Sequence, residues 1–518
     1  MQPGETIWSI AHELLTDWRQ WQAVEKLNHV RNDRKMPPGT VLKIPRSFIS
    51  EYPSDIKIID VSGTVTAQIV MRGEARAHLP LVRGQSLGQG DIIKTADNAS
   101  VLLEFDDGTQ VLILENSRLR IEQATVLGSK RRVVDIKVFL EEGEAEIRSN
   151  PAKVPGSQFL IDTPAAFATT KGTTYRVRAK PESTMAEVTQ GVIGVGNAEG
   201  AVRVAQGFGT VTEMNQRPKA PEALLPAPNL PEPPAVIRYL PGKMEWRVLS
   251  GAAHYRSQIS VDSEFSSIHY DELSNQPKVS LPVTLQDGVY WLRVSGLNPD
   301  GLQGFNALKK LTIDARPFPP VRQLPRPAQS SYVGAVSFSW TRPDLAASFR
   351  FELSKDRAFS RLVISESGLK GTEFEVELSE PGEYFWRVTS VTESGEVGPV
   401  GFPGEFLLKP IPPIPELKAP VKTENELFFS WQPEEQVVQY EFQMGADRAF
   451  KEVLFERISD APEVAVDKPE VGTYYIRVRS LDADHYAGAW SEPQRVVVPV
   501  ENWWPVILTG AASLLLML

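Results

Sequence analysis

The chain has 518 residues, 42% of them hydrophobic, enough for ordinary cores and about three to five domains. Its net charge of −10 excludes the broad basic footprint of general nucleic-acid binding. It has no cysteine, which removes disulfides, cysteine-based zinc sites and thiol nucleophiles together.

The first element opens on the turn Pro3-Gly4. Thr6 is placed to cap a helix, and Ile7, Ile10, Ala11, Leu14 and Leu15 recur at helical spacing. Trp18, Trp21, Val24 and Leu27 predict a second helix, and Pro38-Gly39 leads into a strand over Val41 to Ile44. With Leu27-Asn28 between them, these residues resemble a LysM module, a small βααβ domain, over residues 1–47. The resemblance implies binding of N-acetylglucosamine-containing glycan such as peptidoglycan. It places the groove at Gly4, Glu5, Thr6 and Ile7 on one side and Arg31, Asn32, Lys35, Met36 and Pro37 on the other. Only Met1 and Gln2 stand where the family has its first strand, so a trimmed form or a native start further upstream is expected.

Residues 55–213 read as all-β. Strands are predicted at Ile56–Val61, Val101–Phe105, Gln110–Leu114, Val133–Leu140, Phe159–Ile161, Tyr175–Val177 and Val192–Val195. Turn chemistry separates them, with Asp107-Gly108 the strongest hairpin signal and Glu142-Gly143 another turn, which predicts successive hairpins. Gly90-Asp91, Ala99 to Phe105, Asp107-Gly108-Thr109, Thr163-Pro164 and Gly172-Thr173-Thr174-Tyr175 come in an order that resembles a FecR-type domain. That resemblance implies a periplasmic β domain that binds another protein. Relay from a transporter to a sigma factor is not implied, because a LysM-like module stands where those proteins carry a cytoplasmic head and a membrane span.

Residues 214–235 hold a run of closely spaced prolines and predict an extended, semi-rigid linker. The sequence then repeats. Trp246, Trp340 and Trp431 correspond, as do Phe265, Phe359 and Phe450, and Arg293, Arg387 and Arg477. A spacing above about 90 residues suits a complete seven-stranded β-sandwich rather than a solenoid unit. The repeats, at 236–316, 317–409 and 410–500, resemble fibronectin type III domains through the Trp, the Tyr-x-x-Arg-Val strand and the Pro-rich seams. Each repeated Arg is expected to lie over a Trp or Tyr face.

The last segment, 502–518, carries no charge from Trp503 onward and predicts a short hydrophobic helix. It reads as a membrane anchor, against a buried tail or a span cut short, since a span wants about 20 apolar residues. No catalytic constellation emerges. The six histidines are scattered, no pair has metal-ligand spacing, and Gly194-Val195-Gly196 is followed by strand-like sequence rather than a helix. No metal and no cofactor are expected. The composite expectation is a mainly β, multidomain, non-enzymatic protein of the periplasm and cell envelope. It binds peptidoglycan and an envelope protein, not nucleic acid, and acts as a tether or docking scaffold. The alternative is a periplasmic regulatory subunit whose FecR-like domain binds a membrane sensor or receptor.

Overall fold

The computed structural model describes residues 4–500 apart from 72–73, 129–132, 153, 155, 171 and 327–328. The hydrophobic tail therefore lies outside the described residues. Among those residues no helix is long and apolar enough to cross a membrane. The chain divides into two compact units, Met1–Arg316 and Pro317 onward.

In the N-terminal module, α1 spans Ile7–Leu14 and α2 spans Trp21–Leu27. Thr6 caps α1 through a capping box with Ser9, each side chain serving the other's backbone N–H (3.1 and 2.9 Å). Ile7, Ala11, Leu15 and Val24 form the small core. The second helix is shorter than its pattern. Trp18 sits in a 3-10 turn, Trp18–Gln20, and Leu27 is exposed. The expected strand Val41–Ile44 is not laddered, and no strand forms among residues 4–50. The Asn28 side chain replaces a strand partner: its Nδ2 donates to Lys43 O (2.7 Å) and its Oδ1 accepts from Lys43 N (2.6 Å). That amide satisfies both backbone groups of Lys43, which is the task of a ladder neighbour. The strand Glu51–Pro53 pairs with Pro53↔Thr125 through Glu51↔Leu127, joining the module to the β domain that follows.

Each strand expected in the β domain is present, but successive hairpins do not describe it. Val133–Arg148 runs for 16 residues and belongs to two sheets. Its first half pairs with Arg118–Leu127 and, in parallel, with Gln158–Asp162. Its second half pairs with Gln110–Ile113 and Thr174–Lys180. The turn expected at Glu142-Gly143 is instead a kink, with Gly143 at φ +95° beside a register shift at Leu140/Glu142. Glycine alone adopts this φ without a steric penalty. The two sheets enclose one barrel-like core of inward side chains, among them Ile58, Leu103, Ile121, Val138, Ile147, Tyr175 and Val188.

The Pro-rich segment 214–235 is not a free spacer. Glu222–Ala223 pairs with Phe208–Gly209, Leu224 N donates to Gly207 O (2.8 Å), and Phe305 N donates to Leu225 O (2.9 Å). Leu224 and Leu230 are buried. Extended backbone suits proline, and leucines placed between the prolines give the segment apolar surface to bury.

The first repeat has a two-stranded and a four-stranded sheet, the second a three- and a six-stranded, the third a three- and a four-stranded. Only the third has the expected seven strands. Trp246, Trp340 and Trp431 are buried as core anchors. The repeated Arg does not pack as expected in the first two repeats. Arg293 lies over Phe265 (4.5 Å), Arg387 over Phe359 (3.9 Å), and Arg477 over Phe450 (4.1 Å) and Trp490 (4.2 Å). Each Phe sits at φ +53° to +57° in a loop whose preceding Asp262, Asp356 or Asp447 accepts backbone N–H groups. The loop thus turns the ring under the neighbouring strand. Between the second and third repeats, Tyr332 stacks on Tyr486 (3.5 Å) and donates to Asp482 Oδ2 (2.7 Å), and Lys409 pairs with Asp484 (2.6 Å).

Candidate docking and glycan-binding sites

The expected glycan residues flank one small core. Gly4, at φ +84°, leads into Thr6, whose hydroxyl is engaged in the cap. Ile7 is 1% exposed and serves the core, with Met36 packed against the same cluster. That shared core places the Gly4–Thr6 and Arg31–Pro37 loops around one cluster. Asn32 caps the short turn Asp33–Lys35 (3.1 Å), and Arg31, Lys35 and Pro37 are exposed. The nine expected residues therefore divide, with Ile7 and Met36 structural and the loop residues outward. Beside them is an aromatic group of which the helical pattern singled out only Trp18. His12 stacks on Trp18 (4.5 Å) and meets the edge of Trp8 (4.3 Å), and both Trp rings are more than a third exposed.

The more extensive arrangement lies between the β domain and the first repeat. Along Val133–Arg148, Ala145 and Ile147 point into the core, so Glu144 and Glu146 point out. Arg176 and Arg178 alternate in the same way with Tyr175 and Val177, and Glu187 with Ala186 and Val188. All five outward groups would be solvated on an open sheet, yet four are under 8% exposed, because the four-stranded sheet of the first repeat and its Gln303-Gly304 loop cover them.

Arg293 makes a two-pronged bridge to Glu146, Nη2 to Oε1 at 2.5 Å and Nη1 to Oε2 at 3.0 Å. Arg256 joins Glu144 (2.6 Å) to Asp271 (2.7 Å), and Arg178 also reaches Glu144 (3.1 Å). Arg176 donates through Nη2 to the carbonyls of Gln303 (2.7 Å) and Gly304 (2.8 Å), while among the described residues its Nε and Nη1 have no hydrogen-bond partner and Nε lies 4.0 Å from the Glu187 carboxylate. Glu187 accepts from Gln303 N (3.2 Å). Four carboxylates, Glu144, Glu146, Glu187 and Asp271, thus balance four guanidinium groups, Arg176, Arg178, Arg256 and Arg293. Apolar clusters border the layer. Leu102, Leu112 and Leu114 meet Phe265 and Ile268, and Met185 and Val211 meet Leu302.

Burial opposes ionisation of Glu144 and Glu146. For Glu144 the guanidinium groups of Arg178 and Arg256 outweigh it, and for Glu146 that of Arg293, so both carboxyls fall below their ordinary value. Burial wins at Glu187, whose carboxyl is pushed up. Buried ion pairs are weak sources of net stability but are costly to break, so such a layer fixes one register between two surfaces.

Among the described residues, nothing covers part of the outer face of the other sheet of the β domain. An open trough of about 670 Å³ runs there, lined by Gln158, Leu160, Thr169, Val192, Gly194 and Arg203 among others. Arg203 and Gln158 are exposed at its wall.

Residues 91–194 match the FecR protein family. Glu144, Glu146, Arg176, Arg178 and Glu187 all lie inside this FecR domain, as does the trough apart from Arg203. No curated protein matches the chain. Among solved structures, the chain is similar to the chicken CNTN1 FN1–FN3 domains (12% identity, TM-score 0.27, covering 53% of this chain and 98% of that one). It is also similar to fibronectin(III)-like modules of Clostridium thermocellum CbhA (15%, 0.25, 36% and 98%). A candidate anti-sigma factor from Parabacteroides distasonis matches at 17% identity and a TM-score of 0.22, over 26% of this chain. The match spans 59% of that protein's own length.

The ion layer makes the FecR domain's attachment acid-sensitive. Glu144 and Glu146 have lowered folded values, so their stabilisation is complete above the ordinary value of 4.5 and is lost as pH falls below it. Glu187, raised, has the opposite sign and recovers part of the loss. Two lowered groups against one raised group predict a net fall in stability of the first unit below about pH 4. Urea midpoints between pH 7 and pH 3 measure this. A Glu144→Gln, Glu146→Gln variant should show a flatter profile.

Proposed function

We propose that this chain is a non-enzymatic regulatory protein of the cell envelope, in which the FecR domain binds a protein partner through its uncovered sheet. The observation that carries this reading is the division of the FecR domain's two faces. One is closed over a buried ion layer by the chain's own first repeat, and the other presents an open trough ending at Arg203. A domain fixed so firmly on one side has its remaining sheet free to receive another protein. The FecR family match supports a signalling role over a purely mechanical one. In this reading the partner is a membrane sensor or receptor, and the hydrophobic tail, 502–518, holds the chain at a membrane.

The N-terminal module supports a second, compatible reading, in which the chain is held to peptidoglycan. What favours it is the pair of outward loops, Gly4–Thr6 and Arg31–Pro37, packed around the shared Ile7 and Met36 core. One experiment separates the two. The chain through residue 500 is applied to insoluble peptidoglycan and, in parallel, to solubilised envelope. Three forms are compared: unchanged, lacking residues 1–45, and carrying Arg203→Glu. Loss of wall retention in the truncated form alone supports glycan anchoring. Loss of one defined envelope partner in the Arg203→Glu form alone supports the regulatory reading. A partner retained equally by all three forms overturns the trough as the docking face.

A further inference from the structure

The three repeats share one sheet face, and the structure shows what that face does in the first of them. In the first repeat it consists of Phe265, Ile268, Trp291 and Arg293, and it is seated on the FecR domain. Strand register identifies its counterparts. Arg293 stands opposite Gln258, Arg387 opposite Glu352, and Arg477 opposite Gln443. The second repeat therefore carries Phe359, Leu362, Phe385 and Arg387, and the third carries Phe450, Val453, Tyr475 and Arg477. The aliphatic member reports the difference in use. Ile268 is 5% exposed, whereas Leu362 is 47% and Val453 40% exposed.

The polar partners separate the second repeat from the third. In the first, Gln258 accepts from Arg293 Nε (2.5 Å) and donates to Asp271 (2.6 Å). The Arg293 Nη groups are thereby left for Glu146. The third repeat has a similar relay: Gln443 accepts from Arg477 Nε (2.9 Å) and Nη2 (2.5 Å) and donates to Glu456 (2.9 Å). Register confirms the match, with Asp271 opposite Gln258 and Glu456 opposite Gln443. In the second repeat a glutamate takes the glutamine's place, and Arg387 is neutralised at home by Glu352 (2.7 Å). Among the described residues no carboxylate forms an ion pair with Arg477. The neighbouring Glu441 is bridged by Arg479 (2.6 Å).

We propose that the exposed sheet face of the third repeat is a docking surface for a partner protein that presents an apolar β-sheet face with a central carboxylate. The inference does not depend on glycan binding or on the trough. Charge complementarity commits the occupant, because the one surface seen to fit this set of side chains has Glu146 between apolar clusters. A neutral glutamine leaves the guanidinium charge unbalanced, with Nη1 and the second N–H of Nη2 left to donate to such a group, and Phe450 and Trp490 flank it for two-pronged binding. The second repeat has the apolar part without the free charge.

The test uses the chain's own FecR face as the probe. A separately tagged full-length copy carrying Arg256→Ala and Arg293→Ala has its Glu144 and Glu146 face unlatched. Loss of amide protection at Ile268, whose N–H donates to Ser100 Oγ (3.1 Å), with retained protection in Ser100–Phe105 and Val133–Arg148 verifies this state. Sedimentation velocity of this probe with the unchanged chain should show association. Arg477→Ala in the unchanged chain should weaken it roughly 30-fold or more, the usual effect of removing one partner of a buried charge pair. Arg387→Ala should leave it unaltered. No association, or association indifferent to Arg477→Ala, overturns the proposal. If the probe does not fold, residues 410–500 are grafted in place of 236–316. Protection of the amide of Val453, the counterpart of Ile268, in that graft then supports the proposal, and its loss overturns it.

Discussion

Arg293→Ala will lower the stability of the first unit by about 3–5 kcal/mol, the range for removing one member of a buried ion pair. Arg293 and Glu146 are both under 8% exposed, and the Glu146 carboxylate would lose both prongs of its bridge at once. Protonation would relieve the stranded carboxylate, so the loss should shrink at low pH. The Arg stem also leaves Phe265, which adds a smaller packing loss. Replacing both partners with apolar residues, Glu146→Leu with Arg293→Leu, should recover most of the stability. A dry pair of similar volume avoids the desolvation that the ions suffer. Arg477→Ala is the control, because its guanidinium is only partly buried and pairs with no described carboxylate. It should cost about 1–2 kcal/mol, from two cation–π contacts and the hydrogen bonds to Gln443. Urea unfolding of the three variants measures these differences. A loss below about 1 kcal/mol for Arg293→Ala would mean that the ion layer does not hold the first repeat in place.

Gly143→Ala will destabilise the FecR domain by roughly 3 kcal/mol or more, combining an unfavourable left-handed φ with overpacking. A Cβ at Gly143 would lie 2.1 Å from Ser117 Oγ and 2.4 Å from Ser117 Cα, and backbone cannot give way as a flexible side chain can. Ser117 is itself fixed, since its Oγ accepts from Glu144 N at 2.9 Å. The kink at Gly143 lets one strand serve both sheets, and Glu144 and Glu146 follow directly on it, so the variant should also loosen the ion layer. Gly84→Ala isolates the backbone contribution, because Gly84 has φ +83° with nothing within 4 Å of the added carbon. It should cost about 1–2 kcal/mol. Equal losses in the two variants would remove the close approach to Ser117 from the explanation.

Local chemistry made much of this molecule legible. Thr6 signalled a helix start because the cap lies within one turn. The strand cores were legible because inward side chains recur at period two, and the repeats because Trp, Phe and Arg recur at matched spacing. Val101-Leu102-Leu103 and Val111-Leu112-Ile113 also carried an unread signal. Runs apolar at every position belong to strands buried on both faces, which implied that something covers the outer sheet. Glu142-Gly143 was read as a reversal because a positive-φ glycine serves a turn and a kink alike. Neighbouring sequence does not say which.

The sequence by itself determined the mainly β composition of the chain, the order of its elements, the inward and outward faces of each strand, and the recurrence of Trp, Phe and Arg in each repeat. These depend on contacts within a few residues or on patterns repeated along the chain. Only the tertiary structure decided that Glu144, Glu146, Arg176 and Arg178 are buried, that Arg293 reaches a carboxylate 147 positions away, and that the Pro-rich segment packs instead of spanning. Alternation tells which way a side chain points. What it meets there depends on long-range docking, where an outward charge is stabilised only if its counterion arrives from a distant strand.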